Sequence, residues 1–294
     1  MPSTDDPPAP VALSAIVCTF DRCAKLALSL DALAAAAPGC PGGMEIVVVD
    51  NNSRDATAAV VAGFARGCPV PVRYVVETAQ GLSFARNAGI RAARGEIAAF
   101  TDDDCLVDPE WPAAILRAFA ADPGVAVVGG RVDLYAPVDR PVSIRPFDRA
   151  VRYRSVADVF GLIMGCNMAV RRTAVASIGG FDPAVGGTAG VVADDVDFIY
   201  RALRRDLGVL FDPAIRVRHD HGRRTDAAVA ALARIYARGR GAFYCKHALR
   251  DGAVLREAYW EVRKNLDRAG AGRLRDLAAG ALHILLTRAR LSRP

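Results

Sequence analysis

The chain has 294 residues, a net charge of +6, 52% hydrophobic and 24% charged residues, and seven cysteines. This composition excludes a disordered or fibrous protein and allows one large domain or two smaller ones with a substantial core. The longest apolar stretches, such as Leu277 to Leu286 interrupted by His283, are too short to span a bilayer.

Residues 1–12 read as a flexible tail. Asp5-Asp6 followed by Pro7-Pro8 lacks the basic and apolar regions of a signal peptide. Leu13 to Cys18 is an apolar run that predicts a buried strand, followed by a turn over Thr19 to Arg22 and an Ala/Leu-rich helix ending near Pro38-Gly39. Glu45 to Val49 predicts a second strand, which ends at Asp50-Asn51-Asn52-Ser53. A helix over about 55–66, a strand over 72–76, a helix over 84–94 and a strand over 97–100 follow. This alternation predicts an α/β fold with a mostly parallel sheet flanked by helices. Polar residues after each strand then gather at the carboxyl edge of the sheet, where such folds bind ligands.

Asp108-Pro109-Glu110 reads as a helix start that sends Trp111, Ile115, Leu116 and Phe119 toward the core. Val125 to Val128 is a further strand, and residues 136–150 form an irregular excursion. Gly186 to Gly190 is a glycine-rich loop fit to act as a lid. Asp194 to Arg205 is helical, with short strands at 209–211 and 215–217. From Gly222 the pattern becomes helical, including a helix over about 273–290. The division expected is 1–12, 13–221 and a basic helical extension over 222–294.

Seven cysteines without a C-x-x-C pair fit thiols in a reducing cytosol better than a disulfide framework or zinc site, with Cys18 and Cys166 in the core. From Gly222 onward there are 16 basic and 6 acidic residues, so about +10 lies there and about −4 before it. The extension reads either as a solvated helical face or as a surface for an anionic partner, such as a membrane or a phosphorylated acceptor. Nucleic acid is not expected as a partner.

Asp102-Asp103-Asp104 ends the strand at 97–100. Three adjacent carboxylates repel one another, and burying them without a partner is costly. In an extended chain Asp102 and Asp104 share a face and Asp103 points away. The pattern suits either an acidic capping turn or oxygen ligands for Mg²⁺ or Mn²⁺. His219 and His221 also share a face in His219-Asp220-His221.

Taken in order, the segments 15–22 (Ala-Ile-Val-Cys-Thr-Phe-Asp-Arg), 46–53 (Ile-Val-Val-Val-Asp-Asn-Asn-Ser), 81–87 (Gly-Leu-Ser-Phe-Ala-Arg-Asn), 100–104, 165–167, 179–182 and 194–197 resemble the family 2 glycosyltransferases, which have the GT-A fold. The resemblance covers about residues 13–221. It implies an enzyme that moves a sugar from a nucleoside diphosphate sugar to an acceptor hydroxyl with a divalent metal, Mn²⁺ or Mg²⁺, and with inversion. UDP is the expected nucleotide, with GDP and dTDP open.

The resemblance also implies roles. Asp195 is the general base, and Asp194 stands where the family has a glutamate. Asp104 is the metal ligand, helped by His219. Asp102 touches the ribose or a metal-bound water, and Asp103 stays outside the coordination sphere as the most replaceable of the three. Asp50 accepts a hydrogen bond from the base and Phe20 stacks on it. Thr19, Asn52, Arg22 and Arg86 complete the donor site, the arginines by neutralising phosphate. Asp194, Asn167 and His221 contact the acceptor or the sugar. Asp197 orients its helix or pairs with Arg201.

The acceptor is a glycan, a lipid-linked molecule or a small molecule, and the expected location is the cytoplasm, at the inner face of the membrane if the basic extension binds it. A sugar-phosphate nucleotidyltransferase would carry a glycine-rich phosphate loop with a basic residue directly after the first strand, where Cys18-Thr19-Phe20-Asp21 has no glycine. A non-catalytic nucleotide-sugar-binding or membrane-surface protein would not need the carboxylates at 102–104 and 194–197.

Overall fold

The computed structural model describes residues 11–186, 190–266 and 270–291. Its strands are β1 (Leu13–Thr19), β2 (Met44–Asp50), β3 (Val72–Val76), β4 (Ile97–Asp102), β5 (Cys105–Val107), β6 (Val125–Leu134), β7 (Val151–Arg152), β8 (Asn167–Arg171) and β9 (Gly208–His219). Its helices are α1 (Cys23–Ala36), α2 (Thr57–Gly67), α3 (Leu82–Ala92), α4 (Trp111–Ala121), α5 (Arg172–Ile178), α6 (Asp194–Leu203), α7 (Asp226–His247), α8 (Gly252–Leu266) and α9 (Ala271–Leu291).

All strands join one sheet in the order β3-β2-β1-β4-β8-β6-β9-β5, with β7 on β9. The first four are parallel, as their continuous apolar runs predict. Beyond β4 the sheet is mixed, because β8 runs antiparallel between β4 and β6. The sheet is therefore less parallel than the sequence suggests. Its short strand β8 carries no alternation to announce it. The two short strands expected at 209–211 and 215–217 are one strand, whose register shifts against β6 around Asp212 and Pro213. Proline has no N–H for the ladder, so the irregularity falls where pairing is weakest.

Two layers of core flank the sheet. Ile16, Phe100, Phe181 and Phe198 fill one side, and Leu26, Ile46, Trp111 and Val217 the other. Helix α4 begins at Trp111 rather than at Pro109. The preceding turn is closed by the Glu110 N–H donating to Asp108 Oδ1 at 3.0 Å. Cys166 is buried, whereas Cys18 is only partly covered and faces a cleft. No disulfide is present among the described residues.

The carboxyl-terminal helices share the main core. Phe243 and Tyr244 of α7, Val254 of α8 and Leu277 of α9 belong to the same buried cluster as Phe198 and Phe211. Helices α7 and α9 cross at backbone distance: a Cβ on Gly241 would lie 1.9 Å from Leu277 O, and one on Gly280 1.8 Å from Arg238 O. Asp197, at the start of α6, bonds Arg201 Nε at 2.7 Å, Lys246 Nζ at 2.6 Å and His247 Nε2 at 2.7 Å. The expected Asp197–Arg201 pair thus exists, and Lys246 and His247 of α7 join it, tying the extension to α6. No described helix is long and apolar enough to cross a membrane.

Candidate active site

A cleft of about 700 Å³ opens at the carboxyl ends of β1 and β4. The turn after β1 reaches it through two interlocked loops. The Asp21 N–H donates to Ser53 Oγ at 3.0 Å, and the Arg54 N–H to Asp21 Oδ1 at 2.6 Å. Phe20 and Arg22 are thereby presented at the rim, with Phe20 44% exposed, while Thr19 belongs to the lining but is buried.

The acidic triplet does not follow the alternation of an extended strand. β4 ends at Asp102 and the chain turns over Asp103 and Asp104 before β5. All three residues consequently face the cleft. Asp103 is buried, accepts from Thr19 Oγ1 at 2.8 Å and pairs with Arg22 Nη1 at 3.0 Å. Burial pushes its carboxyl up to about 7, against the pull of Arg22 and Thr19. Asp104 is also buried. Its Oδ2 bonds Arg22 Nη2 at 2.6 Å, and its Oδ1 lies 3.3 Å from His219 Nε2. Burial works to raise the Asp104 carboxyl, but His219 and Arg22 outweigh it and hold its pKa well below the usual range. His219 is fixed on its other side by Ser143 O, 3.0 Å from Nδ1. A carboxylate oxygen and an imidazole nitrogen 3.3 Å apart, in a cluster of carboxylates, form a donor set that fits a divalent cation.

Across the cleft, α6 begins with Asp194 and Asp195. Arg86, buried on α3, donates to Asp194 Oδ2 at 2.6 Å and stands 3.8 Å from Asp102 Oδ1. Gly165 permits this: a Cβ there would lie 2.4 Å from Arg86 Nη2. Burial raises the Asp194 carboxyl to about 6, opposed by Arg86 and reinforced by Asp195. Asp194 Oδ1 is buried without a hydrogen-bond partner among the described residues. Asp195 is less buried and lines the cleft, its carboxylate steadied by the Gly165 N–H at 2.9 Å and the Val196 N–H at 2.8 Å.

Four predicted residues lie outside the lining. Asp50 is buried and occupied: Oδ1 accepts from the Ser53 N–H at 2.8 Å and Oδ2 accepts from the Tyr74 hydroxyl. Asn52 is exposed with φ of 70° and is not part of the cleft lining. Asn167 is a core strut, accepting from Trp111 Nε1 at 2.9 Å and donating to Arg131 O and Ile215 O at 2.9 and 3.0 Å. Fully buried, with both ends engaged by the scaffold, it is not offered to the cleft. His221 accepts from the Arg223 N–H at 3.0 Å, and burial, with His219 and Arg223, lowers its pKa. The lid expectation rests on residues 187–189, which lie outside the described residues.

Sequence reasoning missed other lining residues. Asn51 takes the place expected for its neighbours, clamping Glu77 O, Ala79 O and the Gly81 N–H. Tyr236 and Arg240 of α7 and Arg273 of α9 also line the cleft. Their only signal was the basic charge of the extension.

The family model "Glycosyl transferase family 2" matches residues 14–179. The chain belongs to that family. Among curated relatives, this family 2 glycosyltransferase is 30% identical over 188 residues to the succinoglycan biosynthesis protein ExoM of Rhizobium meliloti (strain 1021), covering 62% of this chain and 58% of that protein. It is 26% identical over 187 residues to the pre-mycofactocin glycosyltransferase of Mycobacterium tuberculosis (strain ATCC 25618 / H37Rv), covering 61% and 38%. The aligned part thus spans less than two thirds of these relatives. Among solved structures, the mannosyltransferase PcManGT from Pyrobaculum calidifontis, in complex with GDP-Man and Mn²⁺, aligns over 95% of this chain and 80% of its own. Its TM-score is 0.62 at 22% identity. S. aureus TarS 1-349 in complex with UDP aligns over 78% and 65%, with a TM-score of 0.55 at 17% identity. The glycosyltransferase therefore has a GT-A-like fold: a mixed sheet flanked by helices, closed by carboxyl-terminal helices.

Proposed function

We propose that this glycosyltransferase transfers a sugar from a nucleoside diphosphate sugar to an acceptor hydroxyl by a single inverting displacement. The observation that carries the reading is the pairing of two carboxylate sets across one cleft, Asp102 to Asp104 on one side and Asp194-Asp195 on the other. Phe20, exposed at the rim, suits a nucleoside, with UDP the favoured nucleotide; GDP is also supported, since one structural neighbour holds GDP-Man and another UDP.

Asp104 and His219 would hold Mn²⁺ or Mg²⁺, with Asp102 beside them. When bound, the ion would offset the charge that develops on the leaving diphosphate. Arg22, already 2.6 Å from Asp104, adds positive charge on the same side. Asp103 holds Thr19 and Arg22 in place and does not bind the ion. Asp195 accepts the proton of the acceptor hydroxyl as it attacks the anomeric carbon. The Gly165 and Val196 N–H groups fix its orientation. Asp194 positions Arg86 against Asp102, so one guanidinium links α6 to the acidic triplet.

We also propose that residues 222–294 act with 13–221 as one catalytic unit, set against an anionic membrane. Leu255, Tyr259, Val262 and Leu266 of α8 are all exposed and recur at helix spacing, so they form one apolar stripe. Arg256, Arg263 and Lys264 lie on the same helix. An apolar face with basic flanks suits the interface of an anionic bilayer.

A thermal-shift series with UDP-sugars, GDP-sugars and dTDP-sugars, each with and without Mn²⁺, tests the donor reading. A ligand of the folded state raises the melting temperature. One nucleotide class should do so only with the metal, and a flat series across all three would overturn the reading.

A further inference from the structure

We propose that the acceptor carries a phosphate or diphosphate group, and that Arg145, Arg240 and Arg273, with Arg223, form its subsite. The inference rests on the transfer reading above and names the acceptor's chemistry.

The four guanidinium groups line the cleft that holds Asp195. Arg240 and Arg273 come from α7 and α9, which cross at backbone distance. Arg240 lies over the Phe160 ring at 4.3 Å and bonds Glu261 Oε2 at 3.1 Å. Arg273 bonds Glu261 Oε1 through Nη2 at 2.6 Å and Nε at 2.9 Å. One carboxylate thus fixes two guanidinium groups and neutralises only one of them. Arg145 donates to Gly161 O at 2.9 Å, beside Phe160, and to Ile144 O at 2.7 Å. Those partners are neutral carbonyls. Arg223 Nη1 is buried with no hydrogen-bond partner among the described residues. Neither Arg145 nor Arg223 has an ion-pair partner among the described residues.

Glu261 is the one carboxylate bonded to any of these four cations, while Asp103 and Asp104 are paired with Arg22 and Asp194 with Arg86, so positive charge is in excess at this end of the cleft. Held guanidinium forks match phosphate oxygens in geometry, and little side-chain freedom is lost when the anion arrives. The excess suits an anion of two or three charges better than a single carboxylate. A lipid-linked phosphate and a soluble sugar phosphate share this chemistry.

The test is equilibrium binding of farnesyl phosphate, glucose 1-phosphate and octyl glucoside to the full chain. The same titrations are run on Arg240→Gln, Arg273→Gln and Arg145→Gln. Each of the first two leaves Glu261 one arginine partner, and melting temperatures check that all three fold. At least one phosphate should bind the wild type tenfold or more tightly than octyl glucoside, and each variant should lose about tenfold of that. Preference for farnesyl phosphate assigns the lipid-linked source, and preference for glucose 1-phosphate the soluble one. Phosphates no tighter than octyl glucoside would overturn the subsite. So would variants that weaken UDP or GDP binding with Mn²⁺ as much as phosphate binding, because the arginines would then serve the donor. Selective phosphate binding by a wild type that never releases nucleoside diphosphate from a sugar nucleotide upholds the anion site and overturns only the transfer reading.

Discussion

Arg86 Nη1 donates to Asp194 Oδ2 at 2.6 Å, and both side chains are almost fully buried. The contact joins α3, after the donor-side loops, to the helix that presents Asp195. It is a structural hinge pin between the two halves of the cleft.

Removing one partner of a buried ion pair strands the other charge, at a cost of about 3–5 kcal/mol. Arg86→Met should lose stability of that order in urea denaturation, and most activity with it. Arg86→Met combined with Asp194→Asn should recover part of the stability, because the buried Asp194 charge that Arg86 matched is removed with it and only the longer Asp102 contact stays unmatched. Additive losses in the double variant would show that the two residues do not act as a pair.

Asp197 gives a pH dependence. Burial works to raise its carboxyl, but the His247 hydrogen bond and the charges of Lys246 and Arg201 hold its pKa below the usual range. A depressed folded-state pKa stabilises the protein above the unfolded value of about 3.9, and that contribution is lost as pH falls toward the folded pKa. The stability gap between wild type and Asp197→Asn should therefore be full above about pH 5 and should narrow below about pH 4. A gap that widens on acidification would reverse the sign argued here.

The proposed function gives Asp103 and Asp104 different roles. Asp104→Asn should lower kcat by about a hundredfold or more and weaken the response to Mn²⁺, in the range seen when a group stabilising transition-state charge is lost. Asp103→Asn can still accept from Thr19 Oγ1 and should cost about tenfold or less. Manganese titration of both variants measures this. Equal loss of metal response would place Asp103 among the ligands.

The stripe on α8 predicts liposome binding. Replacing Leu255, Tyr259, Val262 and Leu266 with serine should abolish flotation with anionic vesicles while leaving nucleotide binding intact. Flotation unchanged by these substitutions would remove the membrane from the account.

Much of this architecture was legible in the chain. The continuous apolar runs of β1, β2 and β4 announced a parallel half-sheet, and the polar residues after them do meet at one edge. The mixed half was not, because β8 owes its strand form to pairing with β4 and β6 rather than to its own pattern. Alternation misassigned Asp103, since the chain leaves the strand at Asp102. Asn167 looked like a substrate contact, yet its partners Trp111, Arg131 and Ile215 lie about 36 to 56 residues away in sequence, a distance no local pattern reports. Arg240 and Arg273 were hidden for the same reason. On their helices they read as solvated charge until Glu261 and Phe160 are brought beside them.

The central claim is that Asp195 takes the proton of the acceptor in a metal-dependent transfer. The most direct measurement is the rate of glycosylated product formation by wild type and Asp195→Asn, each with Mn²⁺ and with a chelator, alongside donor binding under the same conditions. Asp195→Asn should bind donor normally but form product at least about a hundredfold more slowly, as expected when a general base is lost, and the chelator should stop the wild type. Product formation by Asp195→Asn at the wild-type rate, or undiminished turnover in chelator, would contradict it.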